Sequence, residues 1–219
     1  MNAIQLFHDL TFYAMYAAAV LALFLIVERQ LFFVFGARDA ARLLRSMGLE
    51  SDFKPSIDSQ MLERKTVPVQ LVREALHARG AVSDPAQLQD LGEAIYIAGK
   101  TRVNARLWVL DTIVTAAPLL GLVGTILGII DTFAVLASSG ISDPSGVSKG
   151  IGTALYATAL GISIALFGLM FYNYLRERAD HLNDQLKELL LRVAGVDHGD
   201  QAQAAAPVRA ERHTLHAAR

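Results

Sequence analysis

Apolar residues in this chain gather into three long stretches, separated by segments where charges alternate with short helical periodicities. The first stretch runs from Leu10 to Val27. Glu28 and Arg29 interrupt it, and Leu31 to Phe35 continue it. The second runs from Leu107 to Ala137 and the third from Gly150 to Tyr174. A helix crosses a bilayer in about 20 residues, so each stretch predicts a transmembrane helix. The residues before the first, MNAIQLFHDL, hold no lysine or arginine, and no small-x-small site follows the stretch before the charged pair. It therefore predicts a retained span and not a signal peptide.

The polar segments also read as helical. Ala40, Leu43, Leu44 and Met47 have helical spacing, and Gly48 to Pro55 reads as a break. A short helix is expected over Val69 to Arg79, ending at Gly80. Ser83-Asp84-Pro85 then supplies a cap and a first-turn proline. No strong breaker follows until Pro118, which predicts one helix of about 50 residues, its cytoplasmic part about 30–40 Å long. Asp143-Pro144-Ser145 starts another helix. Leu182, Leu186, Leu189 and Val193 carry it beyond the third span at the 4-3-4 spacing of a helix-pairing seam, and Gly195 would cap it. The tail beyond lacks apolar periodicity and reads as disordered.

The expected plan is an all-α membrane protein whose second and third spans extend as long helices into the cytoplasm. Its parts are an outer N-terminus (1–9), a first span (10–35), a helical loop (36–106), a second span (107–137), an outer loop (138–149), a third span (150–175), a helix extension (176–195) and a tail (196–219).

Charge orients this plan. The net charge is −1, but eleven of the twenty lysines and arginines lie in residues 36–106 and seven from Arg176 onward. Only Lys149 lies between the second and third spans. The positive-inside rule places the long loop and the tail in the cytoplasm, with the N-terminus and the 138–149 loop outside. Charged residues make up 19% of the chain, too many for one wholly inside lipid.

Candidate chemistry is sparse. There is no cysteine, which excludes disulfides, thiolate metal sites and cysteine nucleophiles. The histidines are scattered, no cluster has metal-ligand spacing, and no basic, aromatic-rich patch suits nucleic acid. Neither an enzyme nor a cofactor is expected.

The spans themselves carry the unusual pattern. APLLGLVGTILGIIDTF (117–133) has a proline, three glycines and, at its centre, a threonine amid its apolar residues. Gly124 and Gly128 form a GxxxG pair, and with Gly121 and Gly161 they are candidates for close helix packing. Thr115, Leu122, Thr125, Ile129 and Thr132 share one stripe of the second span. Ala154, Thr158, Gly161, Ala165 and Gly168 form a small-residue stripe on the third, with Thr153 about a turn earlier. Threonines in such helices commonly bond back to their own carbonyls; two threonine-bearing faces on glycine-rich spans favour a shared lumen, with Thr125, Thr153 and Thr158 lining it. Ionisable groups sit only near the edges: Glu28, Arg29 and Asp111 at the inner end and Asp131 at the outer end. Interfacial anchoring is the plain reading of these.

APLLGLVGTILGIIDTF, a short proline-containing loop and GIGTALYATALGISIA together resemble the ExbB/TolQ/MotA family of proton-channel subunits, and its ExbB branch most. The resemblance covers about 107–193 best. It implies a homopentameric ring in the inner membrane of a Gram-negative bacterium, its second and third helices around a central pore. The pore would hold the single spans of an ExbD-like partner bearing a proton-carrying aspartate. Proton flow, the coupling ion needing no cofactor, would drive motion passed through a TonB-like transducer to outer-membrane uptake. Thr125 and Thr158 match the family's pore-facing threonines. Thr153 departs from it, standing where relatives often have glutamate. A TolQ-like role in envelope integrity and a membrane scaffold without ion coupling are the alternatives.

Overall fold

The computed structural model describes residues 3–47, 59–82, 84–139 and 144–194. Among these residues it contains six helices and no strand. They are α1 (Ala3–Ser46), α2 (Ser59–Leu62), α3 (Val67–Ala81), α4 (Pro85–Asn104), α5 (Leu107–Ser139) and α6 (Pro144–Ala194). Three of the helical stretches are long and apolar enough to cross a membrane. The expected break at 48–55, the Gly195 cap and the tail lie outside the described residues.

The sequence reading merged two elements and divided one. The first span and the periodic segment after it are one unbroken helix of 44 residues, because nothing between Phe35 and Met47 stops a helix; Gly36 simply packs against the Leu182 side chain. The single helix of about 50 residues expected from Pro85 is instead two, α4 and α5, broken at Ala105–Arg106. Arg106 has φ 67°, the one positive value for a non-glycine among the described residues. Pro118, in contrast, lies inside α5.

The chain divides into two compact units. One contains residues up to Phe33 and Asn104–Ala179, with the apolar stretches. Its helices expose broad apolar faces: Leu10, Val20 and Phe24 on α1, Leu119, Ile126 and Phe133 on α5, Leu155, Leu166 and Met170 on α6. Such surface suits lipid or neighbouring helices and not water.

The other unit contains Val34–Val103 and the chain from Asp180. Its core is conventional. Ala40, Leu43 and Met47 of α1, Val69, Leu71, Val72 and Ala75 of α3, Val103 of α4, and Leu182, Leu186, Leu189 and Val193 of α6 are all buried. Asp84 caps α4 by accepting the Ala86 N–H (3.1 Å). Asp39, 2% exposed, sits in this unit as a buried carboxylate. Arg64 Nη1 lies 2.9 Å from its Oδ1, and the Thr66 hydroxyl donates to its Oδ2 (3.0 Å). Thr66 occupies the N-cap of α3 yet makes no side-chain cap bond there; its hydroxyl ties the entry of α3 to α1 instead. The Arg79 and Arg192 guanidiniums donate to the backbone carbonyls of Val193 and of Leu44 and Met47, respectively, satisfying orphan acceptors at helix ends.

Candidate functional site: a threonine node in a glycine seam

Helices α5 and α6 meet along a seam made almost entirely of small residues. Adding a Cβ at Gly121 would bring it 2.9 Å from the Ala157 carbonyl oxygen and 3.1 Å from the Thr158 Cα. At Gly161 it would stand 2.5 Å from the Ala117 oxygen and 3.1 Å from the Gly121 Cα. An added Cβ would stand 2.7 Å from the Ala157 Cβ at Gly124 and 2.8 Å from the Ala154 Cβ at Gly128. All four glycines singled out in the sequence thus lie where one helix backbone comes against the other inside a single chain. Dispersion contacts and short polar bonds, more than water exclusion, hold such seams together in lipid.

Thr125 and Thr158 sit at its centre. The Thr158 hydroxyl donates to the Gly121 carbonyl on the opposite helix (3.2 Å). The Thr125 hydroxyl reaches the Ala154 carbonyl opposite (3.1 Å) as well as Gly121 in its own helix (3.1 Å). The two hydroxyls also touch each other. Gly121 is four residues before Thr125, and Ala154 four before Thr158. Thr158 therefore takes the carbonyl that plain back-bonding gives to Thr125, and Thr125 has within reach both that carbonyl and the one that plain back-bonding would give to Thr158. A hydroxyl has one proton, so both donors are used within the chain, and these bonds tie α5 to α6.

The remaining threonines follow the plainer pattern. Thr115 bonds back to Asp111 (3.1 Å) and Thr112 (3.0 Å), and Thr132 to Gly128 (2.7 Å). Thr153 bonds back to Lys149 (2.9 Å). It lies five residues before Thr158, about 140° away around the helix, and is not part of the node. The stripe read on the second span also divides: Thr115, Leu122 and Ile129 are exposed, while Thr132 is buried.

The edge charges separate into two kinds. Asp111 is exposed and Asp131 half-buried on α5. Glu28 and Arg29 belong to a cluster that includes Arg106. Glu28 Oε1 accepts from Arg106 Nη1 (3.0 Å), and its Oε2 lies 3.3 Å from Arg29 Nε. Arg29 is 4% exposed and stacks over Phe32, 5.0 Å from the ring centroid. Sequence reasoning missed Arg106 because an arginine in VNARLW carries no break signal. It missed the Asp39 node because nothing local links Asp39 to Arg64 and Thr66. Among the described residues no group of histidines and carboxylates could hold a metal ion.

Comparison with known proteins gives the family. The model of the MotA/TolQ/ExbB proton channel family matches residues 63–188, more than half of the chain. The biopolymer transport protein ExbB of Aquifex aeolicus is 40% identical over 73 residues, covering 33% of this chain and 49% of that one. ExbB of Helicobacter pylori is 38% identical over 85 residues, covering 39% and 59%. ExbB of Pseudomonas putida is 33% identical over 118 residues, covering 52% and 36%. The chain thus spans between 36% and 59% of the length of these relatives. The family match runs from just before α3 through the seam and the threonine node to the leucine-rich end of α6, and the chain belongs to the MotA/TolQ/ExbB proton channel family.

Proposed function

We propose that this chain is an ExbB-like stator subunit of the inner membrane, which surrounds an ExbD-like single-span partner and uses the proton-motive force to energise uptake across the outer membrane. In this reading five copies form a ring, α5 and α6 face its pore, and the charged unit lies in the cytoplasm. The chain itself is not an enzyme.

One observation carries the reading. Between Asp111 and Asp131 on α5, and between Lys149 and Arg176 on α6, there is no acidic, basic or histidine residue. Threonine hydroxyls orient protons but do not change charge at working pH. One charge falling through 100 mV releases about 2.3 kcal/mol, and harvesting it takes a group that alternates between charged and neutral inside the field. A chain of a proton-channel family that lacks such a group at mid-membrane needs it from a companion. The ExbB names of the relatives favour uptake over a TolQ-like role in envelope integrity.

Purification in mild detergent followed by native mass spectrometry tests this. The expected result is five copies of this chain with a companion that has one apolar span containing an aspartate. Recovery of a stable assembly with no such companion, from cells with a fully active uptake system, would count against the reading.

A further inference from the structure

Three chain connections join the two units: α1 across Phe33–Val34, α6 across Ala179–Asp180, and the segment around Asn104. The first two are uninterrupted helix and the third is the break between α4 and α5. Local sequence does not demand that break. VNARLW contains neither glycine nor proline, and Ala105 is the best helix former there is. Yet Arg106 stands at φ 67°. In that conformation Cβ crowds the following carbonyl, and a residue other than glycine stays there only when its surroundings hold it.

Arg106 meets a carboxylate on α1. Glu28 presents Oε1 to Arg106 Nη1 at 3.0 Å, while its Oε2 lies 3.3 Å from Arg29 Nε. Buried Arg29, over Phe32, anchors the carboxylate from one side. The Val109 N–H donates to the Arg106 carbonyl (3.2 Å), so the first turn of α5 is built on the strained residue.

We propose that Glu28 and Arg106 form a latch that sets whether α4 and α5 are two helices or one. With the pair closed, its attraction offsets the left-handed backbone and the break persists. With the pair open, residues 104–107 relax into the continuous helix that their sequence favours. The Arg106 and Glu28 side chains are 57% and 29% exposed. A pair this exposed contributes little, on the scale of the strain it opposes, so small changes around Glu28 are enough to tip it. The latch depends on no assumption about what the assembly transports.

Amide hydrogen exchange of the purified assembly, read by mass spectrometry, tests the proposal. In a continuous helix the N–H groups of Arg106, Leu107 and Trp108 each find a carbonyl four residues back. Glu28→Gln and Arg106→Ala should slow exchange over residues 105–108 at least tenfold relative to the unsubstituted protein. Arg106→Gly also removes the pair, but glycine accepts the left-handed backbone and disfavours a helix interior; exchange should stay as fast as in the unsubstituted protein. Unchanged exchange in Arg106→Ala, or equal slowing in Arg106→Gly and Arg106→Ala, would overturn the latch. The two Arg106 variants decide the matter if Glu28→Gln fails to fold.

Discussion

Helix α6 takes part in two kinds of packing. Its first half meets α5 through Ala154, Ala157, Thr158 and Gly161. Its last turns contribute Leu182, Leu186, Leu189 and Val193 to the core of the other unit, all buried. The change follows from the solvent. Where water is the alternative, a large apolar side chain gains by leaving it. Where lipid is the alternative, leucine gains nothing by moving from tails to a helix face, and close backbone approach with short hydrogen bonds is what remains. One helix thus carries both codes.

Substitutions should separate the two codes. The largest loss is expected from Leu186→Ala in the leucine core, about 2–5 kcal/mol for a fully buried leucine. It should lower the thermal midpoint followed by circular dichroism. An unchanged midpoint would mean that this core is not closed in the assembly. Gly161→Leu should cost about 1–3 kcal/mol through overpacking, because the nearest atoms are backbone and cannot swing away. An intact, equally stable protein would place Gly161 against lipid or open space. The sign of size is therefore opposite in the two regions: removing bulk harms one, and adding bulk harms the other.

Much of this architecture was legible in the sequence because it rests on periodicity. The three apolar stretches, the α3 and α4 starts and the leucine seam at 182–193 all follow from spacing and end signals that act locally. The glycines marked for close packing, Gly121, Gly124, Gly128 and Gly161, likewise lie where α5 and α6 meet, whereas the threonine-bearing faces read from the sequence as lining a lumen. What escaped depends on residues far apart in the chain. The break at Arg106 is held by Glu28, 78 residues away, and the Asp39 node joins residues 25 and 27 positions apart. The threonines needed both helices in place before Thr125 and Thr158 could be told from Thr115, Thr132 and Thr153, which share their chemistry but bond within their own helix.

That distinction predicts the smaller effects. Thr125→Val keeps the shape and removes a hydroxyl bonded across the seam. It should cost about 0.6 kcal/mol and at most about 1.7, the range of helix–helix hydrogen bonds in membranes. On the proposed function, gradient-dependent uptake should fall while the assembly persists. Thr153→Val removes only a bond to its own helix, and its stability effect should be near zero. A Thr153→Val loss equal to that of Thr125→Val would erase the distinction between node and back-bonded threonines.

On the proposed function, the proton-carrying group belongs to a companion and not to this chain. Proton uptake into sealed vesicles under an imposed membrane potential, followed with an enclosed pH-sensitive dye, tests it most directly. Vesicles containing this chain alone should match empty vesicles, and vesicles with the co-purified companion should acidify, unless the companion's intramembrane aspartate is changed to asparagine. Proton flux through this chain alone, at the rate of the complete assembly, would mean that no companion group is needed.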